Sequence, residues 1–254
     1  MRIRTKTIYL IAGLMCMQLS VVGQSRLLVT IPTAAQETNY IWRTIRDIVF
    51  FEQHQYQLSL PKGRLIEALK KKARAKQLSD EDYVALKKFV TDKVYQEADY
   101  QKGYQLIKQN EALLNRLIKQ LSKNSPKNWK FKMFDTYRVT LTLYGSGGSY
   151  DPDRGSIIIF ATRDGKFKQY KNPANTIIHE ITHIGIEYSI IRKHKVPHGL
   201  KERIVDTFVL LNFKKYLPEY YVQNMGDKRL DTYLKHKKDL DNLEEVVKKV
   251  LKKK

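Results

Sequence analysis

The helix that organises this sequence lies at residues 172–193, which read NPANTIIHEITHIGIEYSIIRK. Asn172 is a residue type that caps helices, and Pro173 stands at the first helical position, where no backbone hydrogen bond is lost. Apolar residues follow through most of the stretch, so one helix is predicted to its end. A turn at Pro197 and a second helix at about 200–216 are expected to follow.

Two histidines of this helix, His179 and His183, stand four residues apart, and Glu180 follows the first of them. This spacing puts both imidazoles on one helical face, about 6 Å apart along the axis, so that they can bind one tetrahedral zinc ion. Glu180 would then face a water at the metal and could take its proton. The alternative is a coincidental pair of exposed histidines without a metal.

A catalytic zinc site needs a third protein ligand, and two glutamates are candidates. Glu187 lies on the same helix, roughly 12 Å along the axis from His179, which is too far to reach a zinc ion between the histidines. Glu202, on the second helix, is therefore the preferred ligand. Asp206 lies one turn further and could accept a hydrogen bond from the far nitrogen of a ligating histidine.

The HExxH segment at His179–His183, with the pattern Glu202-x-x-x-Asp206, resembles the gluzincin metallopeptidases, the broad group of thermolysin. The resemblance covers about 30 of the 254 residues. It implies one zinc ion held by His179, His183 and Glu202. Glu180 would be the general base, Asp206 would orient a histidine ligand, and the substrate would be a peptide or protein.

Strands are predicted just before the first helix, at 139–144 and 156–162, because both segments are rich in β-branched and aromatic residues. Asp164-Gly165 predicts a hairpin turn into a further strand at 166–170. The strand at 156–162 resembles the edge strand along which zinc peptidases align extended substrates. An ordinary buried strand is the alternative.

Other residues near the predicted site have no assigned chemistry. The glycine-rich segment 145–149 lacks the lysine and the following helix of a phosphate-binding loop, and is interpreted as a mobile connection. The donor for a developing oxyanion stays open among Tyr216, Tyr220, Tyr221 and His198. The remaining histidines, His54, His194 and His236, are interpreted as surface or core residues.

The preceding region, residues 24–128, has apolar residues at helical spacing and predicts three or four packed helices between about 37 and 122. Ser79 with Asp82 three residues later predicts a capped helix start. The predicted fold class is therefore α+β. An N-terminal helical region precedes a small zincin-like domain at 129–254, with a short antiparallel or mixed sheet, the active-site helix, the Glu-bearing helix and a basic helical tail.

Residues 1–23 predict a signal peptide, with a basic start, an apolar middle and small residues at the end. Export to a bacterial periplasm or envelope, or secretion, is expected. The apolar run is too short for a spanning helix, and the bulky Met15 argues against acylation at Cys16. About 230 residues remain and hold no cysteine, which excludes disulfides and thiolate chemistry.

The net charge of +21 falls to +18 without the three basic residues of the signal. Such a charge favours an anionic surface or polysaccharide as a partner, whereas solvated helix faces are the alternative. No specific nucleic-acid module is present, and the oligomeric state stays open. Two alternatives to a general peptidase stay open. One is an envelope-binding protein with a structural or vestigial metal site, and the other is a secreted zinc protease that acts as a toxin or effector on one target. Glu180 favours a hydrolase, because a structural site needs no base.

Overall fold

A computed structural model describes residues 26–124, 130–168, 170–224 and 226–252. Within them the chain is a mixed α/β protein in which helices pack against a small sheet, in agreement with the predicted α+β class. The predicted signal peptide, residues 1–23, lies outside the described residues. Among the described residues, no helix combines the length and the apolar character needed to cross a bilayer.

The sheet of the described residues has four strands in the order β1–β2–β4–β3. These strands are β1 (Arg26–Thr30), β2 (Thr136–Thr142), β3 (Ser149–Asp151) and β4 (Ser156–Phe160). β1, β2 and β4 are parallel, and β3 runs antiparallel to β4. β1 lies in the region predicted to be helical, so that region also contributes a strand to the sheet.

Two details of the predicted sheet are wrong. The strand at 156–162 is not an edge strand but the buried strand given as the alternative, because β4 lies between β2 and β3, and Ile157 and Ile159 are buried in the core. The edge beside it is β3. The turn at Asp164-Gly165 forms, but the strand expected at 166–170 is reduced to a single bridge between Ala161 and Phe167.

The N-terminal half forms more helices than predicted, because short turns divide the apolar stretches. They are α1 (Ala34–Arg46), α2 (Ile48–Gln53), α3 (Arg64–Arg74), α4 (Asp80–Phe89), α5 (Gln101–Gln109) and α6 (Glu111–Asn124). The predicted cap at Ser79 is confirmed, since its side chain accepts from the Asp82 amide and its own amide donates to the Asp82 carboxylate. Buried residues of α1, α3 and α4 form a small apolar cluster of their own.

The two helices predicted around the site are α7 (Ala174–Ile186), which a π-helical turn extends to Arg192, and α8 (His198–Phe213). Every residue of α7 is buried, because the helix packs against β3, β4, α6 and α8. It belongs to the larger apolar cluster, which also contains the buried face of the sheet. After α8 come short 3₁₀ turns and α9 (Leu243–Lys252). The central position of α7 fixes the site residues that it carries.

Candidate metal centre

Three buried side chains from α7 and α8 meet at one point and could hold a metal ion: His179, His183 and Glu202. The Nε2 atoms of the two histidines are 3.0 Å apart. Glu202 Oε2 lies 3.4 Å from Nε2 of His179 and 3.3 Å from Nε2 of His183. Ligands at the usual zinc distances of about 2.0–2.2 Å would be separated by roughly 3.3–3.5 Å in a tetrahedron. The two distances from Glu202 match this spacing and the two histidine nitrogens are slightly closer together, so the three donor atoms surround one position that a metal ion could occupy.

A hydrogen-bond chain behind His179 fixes the orientation of its ring. Its Nδ1 lies 2.7 Å from the hydroxyl of Tyr220, which donates to Asp206 Oδ1 at 2.8 Å. Asp206 Oδ1 is itself 3.3 Å from Nδ1. Because the Tyr220 proton goes to Asp206, Nδ1–H of His179 is the donor, and the lone pair of Nε2 is left for a metal. Asp206 thus lies where the sequence predicts it, with Tyr220 as an additional partner.

The two oxygens of Glu202 face different neighbours. Oε2 points to the histidines, whereas Oε1 lies 3.6 Å from Nδ1 of His198 and 3.6 Å from Nζ of Lys201. The hydroxyl of Tyr56 is 2.8 Å from Nε2 of His198. These contacts hold the carboxylate so that one oxygen is directed at the metal position.

Burial and nearby charges shift the pKa values of the site. Burial raises the pKa of Glu180 to about 7 and lowers that of His183 to about 4, so the His183 ring is neutral, as metal binding requires. Burial also disfavours charge on His179, but hydrogen bonds to Asp206 and Glu202 raise its pKa to about 10. A metal ion would therefore displace a proton there. Burial alone would raise the pKa of Glu202, yet the two histidines hold it well below its usual range.

Glu180 and the three donors line one cavity of about 230 Å³. Gly148 lies directly over the Glu180 carboxylate, since a Cβ atom at Gly148 would be only 2.2 Å from Glu180 Oε1. The segment 145–149, interpreted from sequence as mobile, is anchored in the structure. Gly145 and Ser59 exchange two backbone hydrogen bonds, and Lys168 Nζ donates to the Ser146 carbonyl at 2.6 Å.

The other candidates from the sequence lie elsewhere or have different contacts. The Glu187 carboxylate accepts hydrogen bonds from the Tyr150 hydroxyl and from Arg192, both at 2.9 Å, and is not among the metal donors. Tyr220 lies behind His179, and Tyr216 and Tyr221 do not line the cavity. Of the four proposed oxyanion donors, only His198 lines it.

Several residues that line the cavity were not predicted from the sequence. They are Arg43 of α1, Tyr56 after α2, Tyr150 of β3 and Lys201 of α8. The Tyr150 ring stacks on His183, with centroids 4.7 Å apart and an interplanar angle of 5°. Lys201 alone could have been suspected, because it adjoins Glu202 on the same helix. The others reach the cavity through tertiary packing.

The chain matches no protein-family model, no curated protein and no solved structure. The resemblance to gluzincins therefore stays a prediction from about 30 residues. Function has to be inferred from the geometry of the site.

Proposed function

We propose that this protein is a zinc-dependent hydrolase that cleaves peptide bonds. One observation carries the proposal: three buried donors that meet at one position line a cavity that Glu180 also lines. Zinc is the preferred ion, because two imidazoles and one carboxylate are typical of catalytic zinc sites. A structural zinc site normally has four protein ligands, whereas three leave a position for a reactant. The donor set therefore favours catalysis over a structural role.

The residues around the cavity supply the parts of a hydrolytic reaction. A bound zinc ion supplies Lewis-acid chemistry, by polarising a carbonyl group and acidifying water. Glu180 is the general base that takes the proton of the attacking water, and it can return that proton to the leaving amine. Burial raises the pKa of its carboxyl group, which favours acceptance of a proton. Tyr56 and His198 line the same cavity and are candidate neutral donors for a developing oxyanion.

A peptide substrate fits the sheet edge beside this cavity. β3 pairs only with β4 among the described strands, and Ser149 and Tyr150 of β3 line the cavity. An extended peptide can add to the free side of such a strand through backbone hydrogen bonds. We therefore assign to β3 the role in substrate alignment that the sequence suggested for the strand at 156–162.

The zinc content of purified protein tests the ligand set. Wild type should bind about one zinc ion, and Glu202→Gln should lose it or bind it much more weakly, because a neutral amide is a poor ligand. Glu187→Gln is the matched control, since it makes the same change in the carboxylate that lies away from the donors. Normal zinc binding by Glu202→Gln, or a loss confined to Glu187→Gln, would overturn the assignment.

A further inference from the structure

A second cavity lies on the outer face of the sheet, next to the cavity lined by Glu180 and the three donors, which we call the metal cleft. Its volume is about 710 Å³, and it shares Arg43, Ser149 and Tyr150 with the metal cleft. Arg138 and Thr140 of β2 line it as well, because they point away from the buried face of the strand. A chain bound along β3 would therefore pass from the metal donors towards this second cavity.

Two arginines in this cavity have no carboxylate partner in the described part of the chain. Arg43 donates from Nη2 to the hydroxyl of Ser149 at 2.8 Å and forms no ion pair there with a described residue. The guanidinium of Arg138 likewise has neither an ion pair nor a side-chain hydrogen bond within the described residues. Both side chains are exposed and can receive an anionic group.

The acidic residues that line the same cavity are already engaged. Asp151 Oδ1 accepts the backbone amides of Asp153 and Arg154, at 2.9 and 3.3 Å, and Asp151 Oδ2 lies 3.9 Å from Arg154 Nε. The Asp153 carboxylate accepts the hydroxyl of Tyr188. These contacts leave Arg43 and Arg138 as the arginines of the cavity that have no ion pair among the described residues, and Arg43 interacts electrostatically with the Glu180 carboxylate, which lines the neighbouring cavity.

We propose that Arg43 and Arg138 form a subsite for a carboxylate of the substrate, and that the enzyme prefers acidic peptides. This inference rests on the proposed peptidase function. A guanidinium group matches a carboxylate with two parallel hydrogen bonds, which gives both charge and geometric selectivity. Arg43 lines both cavities, so the recognised carboxylate lies close to the scissile bond. The carboxylate belongs either to an Asp or Glu side chain or to the C-terminus of the peptide.

Binding to zinc-loaded Glu180→Gln protein tests the subsite without requiring hydrolysis. One set of probes is fluorescein-labelled short peptides of mixed sequence, amidated at the C-terminus, with Glu, Gln or Lys fixed at one position at a time. The other set has no acidic side chain and has either a free or an amidated C-terminus. Fluorescence anisotropy at about 0.3 M salt, where long-range attraction to the basic surface is screened, gives the affinities.

Peptides with a carboxylate at the right position should bind about tenfold more tightly than their neutral counterparts. Arg43→Gln and Arg138→Gln, each added to Glu180→Gln, should abolish most of this difference. Arg116→Gln is the matched control, since this exposed residue of α6 lines neither cavity and its loss changes the net charge equally. Selectivity for the Glu probes would assign a side chain to the subsite, and selectivity for the free C-terminus would assign the terminal carboxylate.

Equal affinity for Glu, Gln and Lys peptides and for both C-terminal forms would overturn the subsite. A preference that survives both arginine substitutions, or that Arg116→Gln lowers as much, would also overturn it. Hydrolysis of the same peptides by zinc-loaded wild type is measured in parallel. Absence of cleavage together with selective binding would contradict the peptidase proposal and leave the carboxylate subsite supported.

Discussion

Gly148→Ala is expected to disable the reaction while leaving the metal donors untouched. The added methyl group would lie 2.2 Å from Glu180 Oε1 and 3.0 Å from Thr176 Cγ2, whereas ordinary contact begins at 3.4 Å. The Glu180 carboxylate or the segment above it must therefore move by about 1 Å. A misplacement of that size at a reacting group costs on the order of 10²-fold in rate. We expect kcat/KM for a peptide substrate to fall by about that factor.

The assay compares kcat/KM and zinc content for wild type, Gly148→Ala and Gly147→Ala. Gly147 is the control because a Cβ there meets nothing within 4 Å, although its φ of +153° strains any other residue. Gly147→Ala thus measures the effect of strain in the segment alone. Zinc content should be unchanged in all three proteins. The loss should be smaller in Gly147→Ala, and wild-type activity in Gly148→Ala would refute the direct contact with Glu180.

Two further substitutions test the buried carboxylates. Burial raises the pKa of Glu37 from 4.5 to about 7. The stability that the protonated Glu37 carboxyl group contributes is therefore complete below pH 4.5 and is lost as the pH rises through 7. Urea titrations at several pH values should show wild type losing about 3 kcal/mol of unfolding free energy relative to Glu37→Gln across this window. A difference in unfolding free energy between the two proteins that does not change with pH would contradict the raised pKa. Asp206→Asn should weaken zinc binding by roughly 10- to 100-fold in chelator competition, because the charged carboxylate behind His179 becomes a neutral amide, which is a weaker acceptor. Unchanged affinity would leave the ring oriented by Tyr220 alone.

The two histidines of the candidate metal site could be predicted because their relationship is local, whereas Glu202 lies on the second helix and was the candidate left once Glu187 was excluded. Helical periodicity alone places His179 and His183 on one face. The rise per residue puts Glu187 too far along the helix axis to be a third ligand of the same ion. The structure agrees, since Glu187 binds Tyr150 and Arg192 instead. The capped helix start at Ser79 was predictable for the same reason.

The rest of the cleft depends on contacts between distant segments. Arg43 and Tyr56 precede the histidine motif by more than 120 residues, and no spacing rule connects them to it. They reach the cavity only because α1 and α2 pack beside the segment 145–149. Which residues surround the metal position is therefore a tertiary property of the fold.

The sheet was partly unpredictable for a related reason. β1 has five residues and β3 only three, too few to establish an alternating pattern beside the predicted signal peptide or within a glycine-rich segment. β4 is an inner strand only because β3 pairs with it. β3 was not predicted, because it begins within the glycine-rich segment 145–149. Pairing partners, unlike helix faces, are set by residues far apart in the chain.

The most direct test of the proposed function is Glu180→Gln, with zinc content and hydrolysis of a peptide library measured on the same preparation. Glu180 is not one of the three donors, so the variant should retain about one zinc ion. Without a base to accept the proton of water, it should lose hydrolysis by at least about 10²-fold. Full zinc content with no turnover is the expected result. Turnover comparable to that of wild type would contradict the role of Glu180 and the mechanism built on it.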